Sequence, residues 1–553
     1  MTFLDVWTPD TGVEKLLAAA SAVLCCVYAL WAWHSSRRLP PGPWGLPLVG
    51  YLPWVNPVAP HLTLVKLVER YGRVFSLRMG GVLVVVMADP HVIRDVLSQK
   101  CTTGRAPLYL THGIMKGYGL ICSEGDLWRD HRKFVLGFMR DHGMRTVATR
   151  GIMEPKIHAV ADLLTKELRE STEAVDISGK LLHHVGNTMN QLIFGLTYAE
   201  EDPKWRWLRH LLEEGTKLVG VAGPLNFLPW LRFLPMYQRV IRFITENQHK
   251  THREYQLIIH HHERQTLASS TTTRHHLGVA PPVEEDGEEG GGGGGGGGGG
   301  EDTGNHLTEA SEAGRSSSEV PLHIIDAYVK ERRRRGEVVG SFTYEQLHHV
   351  AADLFGAGSE TTITTLKWHL LNMALYPEVQ GKIHRELDEV IPDGESVTLE
   401  EASLLPYTQA SVLESQRLRS ILPLGIPHGA TQELEIDGYR VPQGTMLLPL
   451  QWYVHHDPLI WDDPDTYRPE RFIDQEGKVI RHPAFMPFQT GRRMCIGDEF
   501  ARMILFTFST KILHQFTIEL EEGLKDDPTR DPVCGISLCP RPFKLVFRPR
   551  VSN

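Results

Sequence analysis

The sequence predicts a mainly α-helical fold with small β-sheets, preceded by one N-terminal transmembrane helix. Helical periodicity of apolar residues extends over much of the chain, and short strands broken by glycine and proline occur in its C-terminal third. An uncharged apolar run lies near the N-terminus. The chain has 553 residues, 41% of them hydrophobic, which suffices for one large or two ordinary domains with a buried core.

The predicted membrane helix is Leu16–Trp33, eighteen residues without a charge and near the lower limit for a span. Arg37 and Arg38 follow it, so the rest of the chain should face the cytosol. A cleaved signal peptide is the alternative, but a basic segment before the run and a small-residue cleavage site after it are both missing. We assign residues 1–38 to an N-terminal membrane anchor.

After the anchor, residues 39–60 form a Pro-rich hinge. Within it, proline should impose a stiff, extended path on Leu39–Pro47. The body of the fold then covers 61–548. Within it Val82–Met87 is typical of a buried strand, and Leu434–Val441 of a hairpin turning at Asp437 and Gly438.

A Gly- and acid-rich insertion at about 269–318 contains eleven consecutive glycines and should be disordered. Ordering glycine costs the most entropy, and nothing apolar offsets that cost here. A partner-binding loop is the alternative, although polyglycine offers no side chain to recognise.

Composition limits the function. The formal net charge of −9 argues against a general nucleic-acid binder. The cysteines are odd in number, lack metal-finger spacing and predict a reducing compartment rather than a disulfide framework. They are Cys25, Cys26, Cys101, Cys122, Cys495, Cys534 and Cys539.

The most informative motif is the decapeptide containing Phe488, Gly491, Arg493, Cys495 and Gly497. Its glycines would let the backbone approach a flat, bulky ligand, and its arginine could pair with an acidic group on that ligand. A cysteine thiolate that ligates haem iron favours O–O cleavage. An isolated cysteine near a turn would more often be structural. The pattern Phe-x-x-Gly-x-Arg-x-Cys-x-Gly, however, resembles the haem-binding loop of the cytochrome P-450 family, the haem-thiolate monooxygenases.

The resemblance covers roughly residues 40–265 and 320–548. It implies the cytochrome P-450 fold, a triangular α-rich prism, and haem b (iron protoporphyrin IX) with Cys495 as the axial thiolate on the metal. It also implies insertion of one oxygen atom from O2 into a C–H bond.

A second motif, Gly356 to Thr362, follows a long apolar helix. Small residues at Gly356, Ala357 and Gly358 should open space for the hydroxyl of Thr361, with the acid Glu360 adjacent. The motif resembles the family's oxygen-activation motif, in which these two residues support proton delivery. Without Cys495 it would indicate only a helix-packing face.

Two further sets of residues match the family. Glu414 and Arg417 share a helix face and, with Arg471, resemble its Glu-x-x-Arg network, to which we assign a structural role. Trp128 and Arg132 also share a helix face. With His428 and Arg493 they match the family's contacts to the haem propionates.

The sequence carries no flavin or nicotinamide fingerprint, so electrons should come from an NADPH-dependent flavoprotein reductase. We expect a single-pass protein of the endoplasmic reticulum membrane, embedded in the lipid bilayer with its catalytic domain in the cytosol. A basic face that includes Arg132, Lys133, Arg492 and Arg493 could dock an acidic reductase, although some of these residues could instead be buried on haem.

A narrower resemblance lies in Thr103–Met115 with Gly119–Cys122, which are similar to the substrate-side segment of arthropod ecdysteroid 25-hydroxylases. It implies a sterol-like substrate, a ketodiol hydroxylated at C25 to a ketotriol in moulting-hormone biosynthesis. The apolar pocket candidates, each as well explained as plain core, are Leu108, Tyr109, Ile114, Met115, Leu354 and Phe355.

Three alternatives remain open. They are another microsomal steroid or xenobiotic hydroxylase, a haem-thiolate isomerase or dehydratase that needs no electrons, and a haem-binding protein without turnover. The Glu360–Thr361 pair argues against the isomerase, which has no need for proton delivery to oxygen.

Deletion of about residues 269–318 should leave haem incorporation intact, because no motif lies there. The carbon monoxide spectrum of the reduced protein, red-shifted by a thiolate ligand, measures that incorporation. Loss of bound haem would show that the segment is structural.

Overall fold

The computed structural model describes residues 37–144, 152–218, 223–276, 321–336, 340–392, 397–523, 527–530 and 532–550, with a few isolated positions between 16 and 27. Among these residues, no helix combines the length and the apolar character that a membrane span requires. The predicted span Leu16–Trp33 lies, apart from the isolated positions, outside the described residues.

Helices dominate the described residues, as the sequence predicts. In chain order they are α1 (Pro60–Tyr71), α2 (Pro90–Ser98), α3 (Gly125–Asp141), α4 (Glu154–Glu170), α5 (Ile177–Phe194), α6 (Pro203–Leu218), α7 (Pro224–Phe227), α8 (Pro235–His276), α9 (Ile324–Arg335), α10 (Tyr344–Leu375), α11 (Pro377–Val390), α12 (Pro406–Leu418), α13 (Gln451–His456) and α14 (Asp498–Gln515). Short 3₁₀ helices occur between them, and Tyr109–Ile114 forms a π-helical turn.

The described strands are short and form small sheets. They are β1 (Val74–Met79), β2 (Val82–Met87), β3 (Gly104–Arg105), β4 (His428–Gly429), β5 (Leu434–Ile436), β6 (Tyr439–Val441), β7 (Met446–Pro449), β8 (Phe516–Leu520), β9 (Val533–Cys534), β10 (Leu538–Cys539) and β11 (Leu545–Pro549). The largest sheet has the order β1-β2-β7-β4-β3, in which only β2 and β7 are parallel. The predicted strand Val82–Met87 is confirmed as β2.

The predicted hairpin is confirmed as well. Strands β5 and β6 pair antiparallel, and Asp437 and Gly438 connect them with φ of 51° and 79°. Positive φ at both central residues is the requirement of the tight turn that an Asp-Gly pair favours.

The Pro-rich hinge is fastened to the sheet. The Ser76 hydroxyl donates to the Pro40 carbonyl at 2.7 Å, and the Ser76 N–H donates to the Pro41 carbonyl at 2.8 Å. A Cβ at Gly42 would lie 1.6 Å from the Ser76 carbonyl oxygen, so only glycine fits there. The chain then turns between Leu46 and Gly50, at the end of the stretch Leu39–Pro47 for which we predict an extended path.

Helix α8 corrects the predicted start of the disordered insertion. The helix continues through His276, seven residues beyond the start predicted at 269. Once a helix is nucleated, each further residue adds a local backbone hydrogen bond, so a polar sequence can extend a helix that packing began. The remainder of the predicted insertion, 277–318, lies outside the described residues.

Helix α10 is the centre of the core. Thr343 caps its N-terminus by accepting a hydrogen bond from the Gln346 N–H. Trp368 is fully buried and donates from its indole nitrogen to the Leu538 carbonyl at 2.8 Å, which fixes the C-terminal β9–β10 hairpin against the helix. The helix packs on α5, α12, α14 and β8. These contacts fix the position of the helix and of the side chains that it carries.

A buried charge network joins α12 to the segment that leads toward Cys495. Arg417 makes a bidentate contact with Glu414 at 2.7 and 2.8 Å, and Arg471 adds a third bond to that carboxylate at 3.2 Å. Arg417 also donates to the carbonyls of His455 and Pro464, both at 2.7 Å. Because these bonds satisfy the desolvated groups, the ion pair can stay inside the protein and hold the loop segments in register.

Replacement of Glu414 by alanine should lower the free energy of unfolding by about 3–5 kcal/mol, because it leaves two desolvated guanidinium groups without their carboxylate. Denaturant titration of the haem-loaded protein measures the loss. Glu433→Ala is the matched control, since its pair with Arg440 is exposed and should contribute under about 1 kcal/mol. Equal effects in the two variants would contradict this role of the network.

Candidate active site

The loop that carries Cys495 is held by its own backbone and by α2. The Cys495 N–H donates to the Phe488 carbonyl at 3.0 Å, and the Arg492 N–H donates to the Leu97 carbonyl at 3.1 Å. Gly491 has φ of 78°, and a Cβ there would lie 2.1 Å from the Leu97 carbonyl oxygen. The missing side chain of Gly491 therefore admits the end of α2, and the predicted contact of Gly491 with the cofactor stays a prediction.

Gly497 has a different environment. A Cβ at Gly497 would meet no atom of the described residues within 4 Å, which leaves open space beside the thiol. Gly497 is also the residue that precedes α14, so Cys495 lies next to the positive end of a helix. Phe488 places its ring 4.9 Å from the Arg502 guanidinium.

The thiol of Cys495 is exposed, yet enough protein surrounds it that burial raises its pKa. The Gly497 N–H and the cations Arg132 and Arg502 act in the opposite direction on that pKa and favour the thiolate. A sulfur atom that is both accessible and close to these groups is suited to bind a metal.

A cationic wall lies beside the cysteine loop. Arg493 is buried and donates to the carbonyls of Thr103, at 2.7 Å, and of Ser123. Arg132 donates to the Met494 carbonyl at 2.7 Å. Both guanidinium groups lie over the Trp128 ring, at 4.5 Å for Arg493 and 5.8 Å for Arg132. The structure thus brings together three of the four residues that we matched to the propionates.

His428, the fourth, belongs to β4. Its Nδ1 lies 2.8 Å from the Thr102 carbonyl, and burial lowers its pKa to about 3. Its Nε2 is buried and makes no hydrogen bond of acceptable geometry to any described residue. A carboxylate placed there would favour the imidazolium form, in which both ring nitrogens donate.

Sequence reasoning missed a fifth member of the wall, Arg105. It is buried, donates to the Ile121 carbonyl at 2.6 Å and pairs with His428 across the β3–β4 ladder. Burial lowers the pKa of Arg105 to about 10 and that of Arg493 to about 8, and each arginine lowers the pKa of the other. The signal that could have identified it is its position between Gly104 and Ala106, because the segment around it is otherwise assigned to substrate binding.

Helix α10 contributes Thr361. Ala357 is exposed near the middle of this mostly buried helix, and the Thr361 hydroxyl, one turn further along, donates to the Ala357 carbonyl at 2.7 Å. A Cβ at Gly356 would meet nothing within 4 Å, whereas one at Gly358 would lie 2.6 Å from Met189. Gly358 therefore allows α5 to pack closely and does not open space as the sequence suggested.

The Glu360 carboxylate has partners on a different segment. It accepts hydrogen bonds from the Ser537 hydroxyl at 2.8 Å and from the Thr364 hydroxyl at 3.4 Å, and the Cys539 sulfur lies 3.5 Å away. Glu360 is thus bound to the β9–β10 hairpin, while Thr361 lies on the Ala357 face. The roles of both residues in proton delivery stay predictions.

Asp353 attaches the wall to α10. Its carboxylate accepts the backbone N–H groups of Leu120 at 2.7 Å and of Ile121 at 2.9 Å. The side-chain oxygen of Gln346 accepts the Gly119 N–H at 2.9 Å, and the side-chain amide of Gln346 donates to the Gly119 carbonyl at 3.0 Å. Because the Ile121 carbonyl accepts from Arg105 and Arg493, the central helix indirectly fixes both guanidinium groups.

These residues fit an iron porphyrin. The thiol offers a ligand to the metal, and the wall offers guanidinium donors and an imidazole to two carboxylates at the edge of the ring. Buried cations of this number require anions. Among the described residues, Glu124 accepts a hydrogen bond from the backbone N–H of Arg105, not from its guanidinium group. We therefore class the chain as a haem-thiolate protein.

Comparison with known proteins identifies the family. The family model "Cytochrome P450" matches residues 40–288 and 298–547, so the chain belongs to the cytochrome P450 family, whose members are monooxygenases. It is 39% identical to "Cytochrome P450 306a1" of Drosophila melanogaster over 551 residues, 98% of this chain and 95% of that protein. It is 33% identical to "Cytochrome P450 18a1" of Drosophila melanogaster over 98% of this chain and 93% of that protein.

Similarity extends to vertebrate members. The chain is 28% identical to "Cytochrome P450 2U1" of Homo sapiens, covering 98% of this chain and 95% of that protein. The family resemblance predicted from the cysteine loop is confirmed, and with it haem, O2 and a cysteine thiolate ligand.

Replacement of Asp353 by asparagine should change how stability depends on pH. Burial raises the pKa of Asp353 from 3.8 to about 6, so the folded state holds this proton more tightly than the unfolded state does. The stabilisation is complete below about pH 4 and is lost as the pH rises through about 6. The free energy of unfolding of the wild type relative to Asp353→Asn should therefore fall by up to about 3 kcal/mol across this window.

Urea titrations at a series of pH values measure the difference. Asp353→Leu, which removes both hydrogen-bond acceptors, should be destabilised at every pH and separates the loss of hydrogen bonds from the titration. A constant difference between wild type and Asp353→Asn from pH 4 to pH 7 would contradict the assignment.

Proposed function

We propose that this chain hydroxylates C25 in the side chain of a sterol-derived ketodiol and produces the ketotriol. The observation that carries the proposal is the segment Thr103–Met115 with Gly119–Cys122, similar in sequence to the substrate-side segment of arthropod ecdysteroid 25-hydroxylases. Two relatives from an insect, which match 98% of the chain, support placing its substrate among those of arthropod enzymes.

The position of this segment supports the same substrate assignment. One end carries Arg105 of the cationic wall, and the other end is bound to Asp353 of α10. The π-helical turn Tyr109–Ile114 lies between the two fixed ends. A segment held at both ends beside the cofactor site can present one substrate carbon reproducibly, which selective hydroxylation requires.

The apolar residues of the region fit a sterol. Leu108, Ile114, Leu354 and Phe355 are all buried, and Met115 lies 3.9 Å from the amide nitrogen of Gln248 on α8. A largely apolar pocket with few polar groups suits a rigid ring system. Leu354 and Phe355 pack into the main core, so they would shape the pocket wall from behind.

Within the reaction, haem b supplies oxygen activation and C–H oxidation when it is bound. The chain's own residues hold it through Cys495 and the cationic wall. The Thr361 hydroxyl, held by the Ala357 carbonyl, would hold a proton near the reacting oxygen.

We further propose that the protein is a single-pass protein of the endoplasmic reticulum membrane with its catalytic domain in the cytosol. Its electron donor would be an NADPH-dependent flavoprotein reductase. Lys133 and Arg492 are exposed near the thiolate loop, and a groove of about 430 Å³ along α3 is lined by Arg129, Lys133 and Arg140. This basic surface suits an acidic partner. Arg493 is buried in the wall and would not take part.

Incubation of the full-length protein with the reductase, NADPH and the ketodiol tests the proposal. The product should carry its new hydroxyl at C25, as determined by mass spectrometry and nuclear magnetic resonance. Cys495→Ser should reduce product to background and abolish the thiolate signature in the carbon monoxide spectrum.

A hydroxyl at another carbon would instead identify a different microsomal hydroxylase, which similarity to the human relative also supports. Product formed without NADPH would indicate an isomerase, and haem binding with no product would indicate a protein without turnover. Each of these three results would overturn the C25 assignment.

A further inference from the structure

A second cluster of chemically active side chains lies where α8 crosses the start of α10. His252 comes from α8, and Glu345 and His348 come from the first turns of α10. A spacing of three places the glutamate and the histidine on one helix face. The three ligand atoms all lie within 4.8 Å of one another, and the ring centroids of the two histidines are 5.0 Å apart.

His348 is incompletely satisfied in this position. Its side chain is 7% exposed, and neither ring nitrogen has a hydrogen-bond partner among the described residues. Leaving a desolvated polar atom unpaired is destabilising, so a buried imidazole with two such atoms requires an explanation.

The imidazoles are in the form that binds metals. Burial lowers the pKa of His348 to about 4 and also lowers that of His252. At neutral pH both rings are therefore uncharged and keep a lone pair for a ligand. Glu345 is half exposed and supplies a carboxylate at the mouth of the cluster.

We propose that His252, Glu345 and His348 bind one zinc ion. Two imidazoles and one carboxylate form a donor set that zinc accepts in tetrahedral sites, with water from the exposed side as the fourth ligand. Calcium and magnesium prefer all-oxygen sites and do not match this set. To bind zinc, the three side chains would rotate so that their ligand atoms reach the distances that zinc requires.

Neighbouring side chains form an outer layer around this zinc site. His349 places its Nε2 3.7 Å from the Glu345 carboxylate and its ring 4.7 Å from that of His252. Tyr118 stacks on His349 at 5.3 Å. Side chains of this kind orient the direct ligands and raise metal affinity.

Bound zinc would join α8 to α10 and thereby reach the substrate-side segment. Gln248, one turn before His252 on α8, contacts Met115. Tyr118, which follows that residue by three positions, rests on the outer layer of the zinc site. The ion would therefore hold α8 and the adjoining substrate-side segment, at Met115 and Tyr118, against α10. It would not contact the haem site.

Zinc binding by the full-length, haem-loaded protein tests this inference. The protein is first stripped with a chelator, and zinc is then titrated in competition with a fluorescent chelator. The wild type should bind one equivalent more than His252→Ala or His348→Ala, and Glu345→Gln should weaken that equivalent by at least about 10-fold. Zinc-edge X-ray absorption of the wild type should show two imidazole ligands.

His260→Ala is the matched control, because His260 lies on the exposed side of α8 and pairs with Glu263. It should bind zinc as the wild type does. The carbon monoxide spectrum of each variant reports retained folding. If a histidine variant loses its haem, Glu345→Gln at its exposed position decides the result. Equal affinity and stoichiometry in the wild type and the cluster variants would mean adventitious zinc only and would overturn the proposal.

Discussion

Positive charge held inside the protein is the constraint on which the architecture of the site depends. Arg105 and Arg493 lose their hydration, repel one another and are held mainly by backbone carbonyls. Backbone carbonyls can hold a guanidinium group in place only if their own segment is immobile. Asp353 and Gln346 of the central helix immobilise it by binding the backbone of residues 119–121. Acidic groups of a bound haem would complete the arrangement by neutralising the cluster.

The loop that carries Cys495, on the other side of the site, is held in place by a different set of interactions. Glu414 compensates two buried arginines and thereby fastens the segment before the cysteine loop to α12. Gly491 brings the loop against the end of α2, and the helix dipole of α14 begins just beyond Cys495. The thiol is therefore positioned by three independent elements, and none of them contributes an atom to the metal.

The parts of the site that are predictable from the sequence are those coded by local spacing. Cys495, the pair Glu414 and Arg417, and the hairpin at Asp437 each lie within a few residues of the features that define them. Arg105 was missed because its neighbour His428 is 323 positions away and both lie in two-residue strands, which leave no periodic signal.

The roles of glycines were the least predictable. Gly358 was expected to open space beside the helix, yet the atoms closest to it belong to Met189, and the atoms closest to Gly491 belong to Leu97. A glycine reports that something approaches its backbone, but its sequence does not say what approaches. The partner of Glu360 was equally hidden, since Ser537 comes from the far C-terminal region of the chain.

The attachment of Pro40 and Pro41 to Ser76 has a mechanical consequence. Both carbonyls are bound to β1, so the chain leaves the body at a fixed point and in a fixed direction. A pull on the N-terminal segment would load the edge of the five-stranded sheet directly. The hydrogen bonds of the sheet would transmit that force across β2 and β7 to β4, the strand that carries His428. The N-terminal attachment and the cationic wall are therefore connected through one sheet.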